Sequence, residues 1–329
     1  MSALLEVENL CIRYPSMGRV RAALTGAERE FDAVAGVSFT LDKGQTLGLV
    51  GESGSGKSTV ARTLIGLKRA HSGTIRFDGQ DITQAGAREY ARLRREMAIM
   101  WQDPTGSLSP RLTVGSLVTE PLRIHGKGGD MRAEATRLLE MVGLPAHFAS
   151  RFPHQLSGGQ ARRVGVARAL ALDPRLIIAD EPTAGLDMSV QAEVLNLLAE
   201  MQARLGIAIL VITHNLNVVR HITDRMAIMY LGRFVEQGPT DRIWSAPCHP
   251  YTEALLSANP EPDPDAARAR ITLEGEMPSP RSRPAGCEFH GRCPRAREIC
   301  ASEAPDVSRQ TPDHAYTCHF PVCTDASGG

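Results

Sequence analysis

The sequence predicts an α/β fold in which a phosphate-binding loop joins a buried strand to a helix. Residues 51–59 match the pattern G-x-x-x-x-G-K-[ST]. A short apolar run at 46–50 precedes them, and apolar residues at helical spacing follow. Further along, β-branched-rich runs at 176–179 and 207–212 flank an amphipathic segment at 189–205. This alternation is typical of a parallel sheet covered by helices on both faces.

The loop itself is predicted to bind the phosphates of a nucleotide. Its glycines let the backbone wrap a polyphosphate, while its N–H groups and the helix dipole attract negative charge. Lys57 adds a positive charge, and the hydroxyl of Ser58 is placed to bind Mg²⁺. The predicted nucleotide-binding residues here are Gly51, Glu52, Ser53, Gly54, Ser55, Gly56, Lys57, Ser58 and Thr59.

The remaining elements follow from hydrophobic periodicity. Alternating residues at 4–12 predict an edge strand, and residues 34–41, 74–77 and 97–101 predict three more strands. Helices are predicted at 132–142 and from 161 to 172, within and just after a helical insertion at about 103–160.

Composition excludes several classes of function. The 329 residues carry 37 Lys and Arg against 37 Asp and Glu, so no excess of positive charge favours nucleic acid. No stretch has the length and apolar character of a membrane span, and the first residues do not resemble a signal peptide. We therefore expect a cytoplasmic protein that contacts a membrane only through partners.

Two carboxylates follow the apolar run at 176–179. Asp180 and Glu181 would stand at the end of a buried strand, where Asp180 can hold Mg²⁺ and Glu181 can polarise an attacking water. An apolar run ending in Asp-Glu also occurs for structural reasons alone. The phosphate loop upstream favours the catalytic interpretation.

Leu156-Ser-Gly-Gly-Gln160 precedes the predicted helix that ends at residue 172. Ser157 is a good N-cap, and the N–H groups of Gly158 and Gly159 offer a second anion site. The alternative is simply a capped helix with a flexible entry.

Six motifs in order over about residues 4–240 resemble those of an ATP-binding cassette (ABC) ATPase. They are the phosphate loop, Gln102, residues 156–160, Asp180-Glu181, residues 184–187 and His214. The resemblance implies an ABC-type nucleotide-binding domain with a mixed sheet core, an antiparallel β subdomain and a helical insertion. It also implies a head-to-tail dimer with ATP and Mg²⁺ between the phosphate loop of one subunit and residues 156–160 of the other.

The resemblance also implies a role for each motif residue. Ser157, Gly158, Gly159 and Gln160 would contact the partner's nucleotide, and Asp187 would connect the two sites. Gln102 would sense the metal and the permease, and His214 would hold the γ-phosphate and the attacking water. Tyr14 stands where the family has an aromatic residue that stacks on adenine, with Phe31 as the alternative.

Within the family, three segments resemble the ATPase subunits of oligopeptide and dipeptide importers: residues 102–111, 249–256 and 275–279. This implies an ATPase at the cytoplasmic face of the inner membrane that powers peptide import. Its partners would be a second ATPase subunit of a different chain, two transmembrane permease subunits and an extracytoplasmic solute-binding protein. The loop at 103–111, including Leu108, would contact the permease.

Other functions remain open at this point. Import of nickel, a sugar or an opine is one alternative, and a non-transport ABC ATPase is another. A DNA-repair ABC ATPase would separate Lys57 and Ser157 by hundreds of residues, whereas here the gap is 157 − 57 = 100. Asn215 and Gly185 depart from the usual family residues, although neither change removes a catalytic group.

A shift in composition predicts a domain boundary at 240, with the ATPase at 1–240 and a C-terminal domain at 241–329. Thirteen of 21 prolines and six of seven cysteines fall at or beyond Pro239. Four thiols, Cys287, Cys293, Cys300 and Cys318, suit Zn²⁺ or an iron–sulfur cluster. The resemblance favours [4Fe–4S], and four reduced thiols without metal are the alternative. Cys323 is a substitute ligand, and Cys248 is expected to be an ordinary thiol.

Overall fold

The computed structural model describes residues 3–16, 30–103, 106–259 and 271–323. Within these ranges the strands are β1 (Leu5–Pro15), β2 (Glu30–Leu41), β3 (Thr46–Val50), β4 (Ser72–Phe77), β5 (Gln80–Asp81), β6 (Met97–Met100), β7 (Leu176–Asp180), β8 (Ala208–Thr213), β9 (Arg225–Tyr230), β10 (Arg233–Pro239), β11 (Ser308–Thr311) and β12 (His314–Tyr316).

The α-helices in the same ranges are α1 (Lys57–Leu64), α2 (Ala87–Leu93), α3 (Val114–Val118), α4 (Glu120–Ile124), α5 (Met131–Met141), α6 (Gly158–Leu170), α7 (Met188–Leu205), α8 (Leu216–Ile222), α9 (Thr240–Ser245), α10 (Pro250–Ser257) and α11 (Glu298–Ser302). None of them combines the length and the apolar character needed to cross a lipid bilayer.

Residue contacts divide the chain into two compact units. The described residues of the first lie within 41–46 and 85–212, and those of the second lie within 2–40, 47–84 and 213–329. The predicted boundary at 240 does not coincide with this division, because the last third of the chain groups with the phosphate loop. The boundary stays a prediction about composition.

In the first unit, β6, β7 and β8 form a parallel array in which Ile178 pairs with Ile99 on one side and with Leu210 on the other. Every residue of β7 and β8 is buried. Two-sided burial explains their uninterrupted apolar sequence, as predicted. Helices α3, α4 and α5 fall inside the predicted insertion at 103–160, and α6 begins at its end.

The second unit contains a four-stranded sheet in the order β2-β1-β4-β5. The pairing of β1 with β4 is antiparallel, with Leu5 opposite Phe77. The strand predicted at 4–12 is therefore present, but its predicted position at the edge of the sheet is wrong, because β2 pairs with its other side. Alternation of apolar and polar residues reports one buried face and says nothing about the two strand edges.

The same unit also contains strands that pair in the order β3-β9-β10-β12-β11. β3 and β9 are parallel, while β9, β10, β12 and β11 follow one another in antiparallel pairs. Parallel and antiparallel pairing thus meet at β9. The predicted α/β class with a mixed sheet and an antiparallel β subdomain is confirmed.

Candidate nucleotide-binding and hydrolysis site

The phosphate loop closes around the side chain of Lys57, which is only 7% exposed. Its Nζ donates to the carbonyl oxygens of Gly51 at 2.7 Å and Glu52 at 2.8 Å, and to Oγ of Ser55 at 3.3 Å. These bonds place the ammonium charge in the hollow of the loop, at the start of α1. A charge in this position suits a polyphosphate ligand.

Two glycines of the loop cannot be replaced without moving the backbone. A Cβ on Gly51, where φ is +155°, would lie 2.1 Å from the carbonyl oxygen of Met229. On Gly56, where φ is +109°, it would lie 2.7 Å from the carbonyl oxygen of Ala33. The pattern that identified the loop therefore has a direct steric cause.

The two aromatic residues proposed for adenine lie side by side in the second unit. The ring centroids of Tyr14 and Phe31 are 6.1 Å apart, with an angle of 24° between the planes. Lys68 Nζ lies 4.0 Å from the centre of the Tyr14 ring. The structure thus brings both candidates to one location and leaves the choice between them open.

The acidic pair ends β7 in the first unit. Asp180 is buried, and Glu181 directly follows the strand. Glu181 has φ +49°, which is unusual for a non-glycine residue, and its N–H donates to the carbonyl oxygen of Ile212 at 2.8 Å. Strained backbone of this kind is concentrated at functional sites. The end of β7 and this hydrogen bond thus fix the backbone of Glu181.

Residues 156–160 form the entry to α6, as predicted. Ser157 is the N-cap, and Gln160 N–H donates to its Oγ at 3.3 Å. In return, Gln160 Oε1 accepts the N–H of Ser157 at 3.1 Å, which completes a capping box. Ser157 and Gly158 are exposed, so this helix start is accessible to another molecule.

Asp187 caps the neighbouring helix α7. Its Oδ1 accepts the N–H of Val190 at 3.0 Å and the hydroxyl of Ser189 at 2.6 Å, and these hydrogen bonds hold the pKa of Asp187 below its usual value. A Cβ on Gly159 would come within 2.5 Å of Val190. The glycine therefore lets the starts of α6 and α7 pack directly together.

Arg162, which the sequence analysis missed, connects three parts of this first-unit site. It lies in α6 and is 1% exposed. Its guanidinium donates to the carbonyl oxygens of Trp101 at 3.1 Å, Gln102 at 2.7 Å and Ala184 at 2.9 Å. Burial lowers the pKa of Arg162, although the charges of nearby Asp103 and Glu181 oppose that effect. Only its position two residues after the Ser-Gly-Gly-Gln motif could have drawn attention to it.

Gln102 and His214 are both exposed, in the first and second units respectively. His214 follows β8, and Asn215 next to it caps α8 by accepting the N–H of Asn217 at 2.9 Å. The family departure at Asn215 thus supplies a helix cap. Leu108 is 1% exposed, so the prediction that it contacts a permease is wrong. It packs into the protein because it is the apolar residue of an otherwise polar loop.

The four predicted metal ligands Cys287, Cys293, Cys300 and Cys318 line one cavity. Burial, and then the neighbouring thiols, raise the pKa of Cys318 to about 11. The pKa values of Cys287 and Cys293 are raised for the same leading reason. Without a metal, burial therefore favours the protonated form of Cys287, Cys293 and Cys318, whereas a bound cation would favour the thiolates.

Cys248 and Cys323 form a disulfide, with Cα atoms 4.5 Å apart. The predictions that Cys323 is a substitute metal ligand and Cys248 an ordinary thiol are therefore wrong. Glu236 is buried beside this bond and accepts the N–H groups of Cys248 at 2.7 Å and His249 at 3.0 Å. Its carboxylate also pairs with Nε2 of buried His314 at 2.7 Å. These contacts satisfy the Glu236 carboxylate without a metal.

Comparison with known proteins identifies two sequence families. Residues 34–184 match the family described as ABC transporter, and residues 235–300 match the C-terminal region of oligopeptide/dipeptide transporters. The chain is 46% identical to the Bacillus subtilis oligopeptide transport ATP-binding protein AppF, over 88% of this chain and 89% of AppF. It is 47% identical to OppF, the oligopeptide transport ATP-binding protein of Salmonella typhimurium, over 87% of each chain.

Solved structures with 29% sequence identity share the fold. The ATP-binding cassette MJ0796, a dimer bound to ADP and Pi after hydrolysis, aligns with a TM-score of 0.63 over 72% of this chain and 98% of its own. CbiO1 of Clostridium perfringens, part of the ABC transporter complex cbiONQ, aligns with a TM-score of 0.64 over 74% of this chain and 92% of its own.

Proposed function

The chain belongs to the ATP-binding proteins of oligopeptide and dipeptide ABC transporters and hydrolyses ATP to power peptide import, and we propose that it does so with the residues described above. The observation that carries this assignment of residues is the phosphate loop closed around Lys57. The chain works in a complex with permease and ATPase partners. We further propose the identity of its partners. They are a second ATPase subunit of a different chain, two permease subunits and an extracytoplasmic solute-binding protein.

In the proposed mechanism, the loop amides and Lys57 bind the β- and γ-phosphates, and Tyr14 or Phe31 stacks on adenine. Ser58, Gln102 and Asp180 would hold Mg²⁺, which neutralises charge that develops on the phosphates. Glu181 polarises the attacking water and His214 orients it.

The exposed start of α6 supports a site completed by two subunits. Ser157 and Gly158 present a helix N-terminus to solvent while the capping box keeps it formed. We propose that this surface, with Gly159 and Gln160, binds the γ-phosphate of a nucleotide held by the partner ATPase, and that Asp187 reaches the same interface. MJ0796, an aligned cassette, is a dimer.

A groove of about 350 Å³ in the first unit supports the position of the permease contact. Trp101, Ser107, Ile124 and Arg168 are among the residues that line it, and Ile124 is 72% exposed. We propose that a cytoplasmic helix of the permease occupies this groove, which would hold the protein peripherally at the cytoplasmic face of the membrane. Its lining residue Ser107 belongs to the loop that follows Gln102.

Lys57→Ala tests the nucleotide site. Removing the ammonium group should weaken ATP binding by at least about tenfold, because it deletes a charge-assisted contact to the phosphates. ATP titration of the purified full chain would measure this. An unchanged affinity would contradict the assignment of the loop.

The import of nickel, a sugar or an opine is the second candidate function. The solute retained by the co-purified binding protein decides between peptide import and this alternative.

We also propose that the four-cysteine cavity holds a [4Fe–4S] cluster that staples the C-terminal segment. No three of the four sulfur atoms lie within 4.8 Å of one another. Tetrahedral Zn²⁺ with Zn–S bonds of about 2.3 Å would bring its sulfurs to about 3.8 Å apart. A cubane, with one thiolate on each of four irons, needs a wider set.

Anaerobic purification tests the cluster. The protein should be brown, absorb broadly near ~400 nm, and lose this absorbance in Cys293→Ser. Cys11→Ser, which changes a thiol outside this cavity, is the control and should keep the colour. Colourless protein with one zinc per chain would show that the site binds zinc and not the cluster. Protein without metal would leave the four cysteines as plain thiols.

A further inference from the structure

The C-terminal part of the chain holds the phosphate-loop residue Glu52 at two points. Arg292 Nη1 donates to both carboxylate oxygens of Glu52, at 3.0 and 3.2 Å. The N–H of Glu52 donates to Oη of Tyr251 at 3.1 Å. Together with the bond from Lys57 Nζ to its carbonyl oxygen, all three polar groups of Glu52 have partners. Two of these partners come from residues about 200 or more positions away in the sequence.

The groups that hold Glu52 are themselves fixed by packing. The Arg292 side chain is 9% exposed, and the Glu52 side chain is 30% exposed. Tyr251 and Tyr230 are fully buried, and their ring centroids are 4.8 Å apart. Phe289 packs against both at 5.3 Å. The anchor of the loop is therefore a rigid aromatic cluster.

The same segment also covers the middle of the loop. A Cβ on Gly54 would lie 3.3 Å from Cε of Met277. Gly51, Gly54 and Gly56 all have positive φ, and glycine loses more conformational entropy on ordering than any other residue. Contacts from outside the loop therefore add to the order that the bonds of Lys57 Nζ give it.

An ordered loop has a direct consequence for nucleotide affinity. A flexible loop loses conformational entropy when it wraps a ligand, and a preformed loop avoids that cost. Glu52 also brings a negative charge close to the expected phosphates. Arg292 compensates that charge while holding it in place.

We propose that Arg292 is a positioning residue of the nucleotide site, which keeps the phosphate loop in its binding shape by holding Glu52. This inference rests on the proposed role of the loop in ATP binding. It gives the C-terminal segment a part in the ATPase reaction that neither the proposed metal site nor the match to the transporter family assigns.

A double-mutant comparison in the full chain tests the proposal, with ATP affinity as the measurement. Arg292→Ala should weaken ATP binding about tenfold, the effect of losing one well-formed charge-assisted contact. In a Glu52→Gln background, the same Arg292→Ala change should alter affinity less than about threefold, because Arg292 acts through the Glu52 carboxylate. Equal losses in both backgrounds would overturn the proposal.

Two further variants separate positioning from general damage. Arg309→Ala removes an exposed arginine of the same region that bonds to the carbonyl oxygen of Pro312, and it should leave affinity unchanged. Arg292→Lys keeps the charge but replaces the planar guanidinium by a strongly hydrated ammonium on a flexible stem, so it should hold Glu52 less firmly and weaken binding by an intermediate factor. If Arg292→Ala does not fold, Arg292→Lys in the two Glu52 backgrounds provides the same comparison. Wild-type affinity in Arg292→Lys would then overturn the proposal.

Lys57→Ala distinguishes the two levels of failure. If it leaves ATP affinity unchanged, the proposed function of the loop fails, and this inference fails with it. If it weakens ATP binding while Arg292→Ala does not, the loop keeps its function and only the role of Arg292 is overturned.

Discussion

At Glu181, an unusual backbone conformation coincides with the proposed catalytic base. Its φ of +49° and its N–H bond to Ile212 fix the residue at the end of β7. Glu181→Gln keeps the shape and removes the base, so we expect ATP binding to persist while turnover falls at least ~100-fold. Steady-state hydrolysis and nucleotide titration measure the two effects. Glu193→Gln, at an exposed ion pair on α7, should change neither. Near wild-type turnover in Glu181→Gln would mean that another group is the base.

Arg162 gives a second prediction at this scale. Replacing it by Met keeps much of the apolar stem but leaves three backbone carbonyl oxygens without their donor. We expect the free energy of unfolding to fall by about 2–4 kcal/mol, because buried acceptors lose charge-assisted bonds. Urea unfolding measures it. Arg137→Met, which removes an exposed i,i+3 pair with Glu134, should change stability by less than about 0.5 kcal/mol. A similar small change in Arg162→Met would show that water replaces the guanidinium.

Arg162 and Arg292 also show which residues of a site a sequence pattern can predict. The phosphate loop was predictable because the steric limits at Gly51 and Gly56 leave a fixed spacing. Arg162 bonds to backbone carbonyl oxygens, which any residue can supply, and Arg292 reaches a carboxylate 240 positions away in the sequence. Neither contact leaves a local signature.

At the scale of secondary structure elements, the groove beside α4 gives a test of coupling. Ile124 ends α4 and is 72% exposed, so a charge there should not disturb the core. In the assembled transporter, Ile124→Asp should lower peptide uptake at least ~10-fold, because it places a charge in an interface core. The isolated subunit should keep its ATPase rate. Leu205→Asp, at a 43% exposed apolar residue outside the groove lining, is the matched control. Parallel loss of uptake and basal hydrolysis would indicate misfolding instead of a docking defect.

Elements were predictable where burial imposes a simple pattern. β3, β7 and β8 are buried along their whole length, and their apolar runs predicted them. β10 was missed because Glu236 stands in its middle, buried and paired with His314 of β12. A buried charge of this kind is satisfied only by partners from elsewhere in the fold, which local periodicity does not report.

At the scale of the whole molecule, the composition shift at residue 240 and the pattern of contacts report different properties. Proline and cysteine become frequent from residue 239 onward. Contacts instead group residues 213–329 with residues 2–40 and 47–84. The ion pair between Arg292 and Glu52 is one such contact. A change in amino-acid composition along the chain therefore does not require that the residue contacts divide at the same position.

The disulfide between Cys248 and Cys323 acts at this scale because it closes a sequence separation of 75 residues. That span contains the four-cysteine cavity and Arg292. In the chain-entropy treatment, closing a loop of this length stabilises the folded state by about 4.5 kcal/mol. Cys323→Ser should therefore lower the free energy of unfolding in buffer without reductant by up to about that amount. Urea unfolding of the full chain measures the difference.

Reductant supplies the internal control for this prediction. It should lower the stability of the wild-type chain to that of Cys323→Ser and leave the variant itself unchanged. Cys11→Ser, at a cysteine outside any disulfide, should follow the wild type in both buffers. Thiol titration after denaturation with a chelator should find five thiols in the wild-type chain, since 7 − 2 = 5. Seven thiols would show that Cys248 and Cys323 stay reduced, and the C-terminal segment would then depend on its packing and on the four-cysteine site alone.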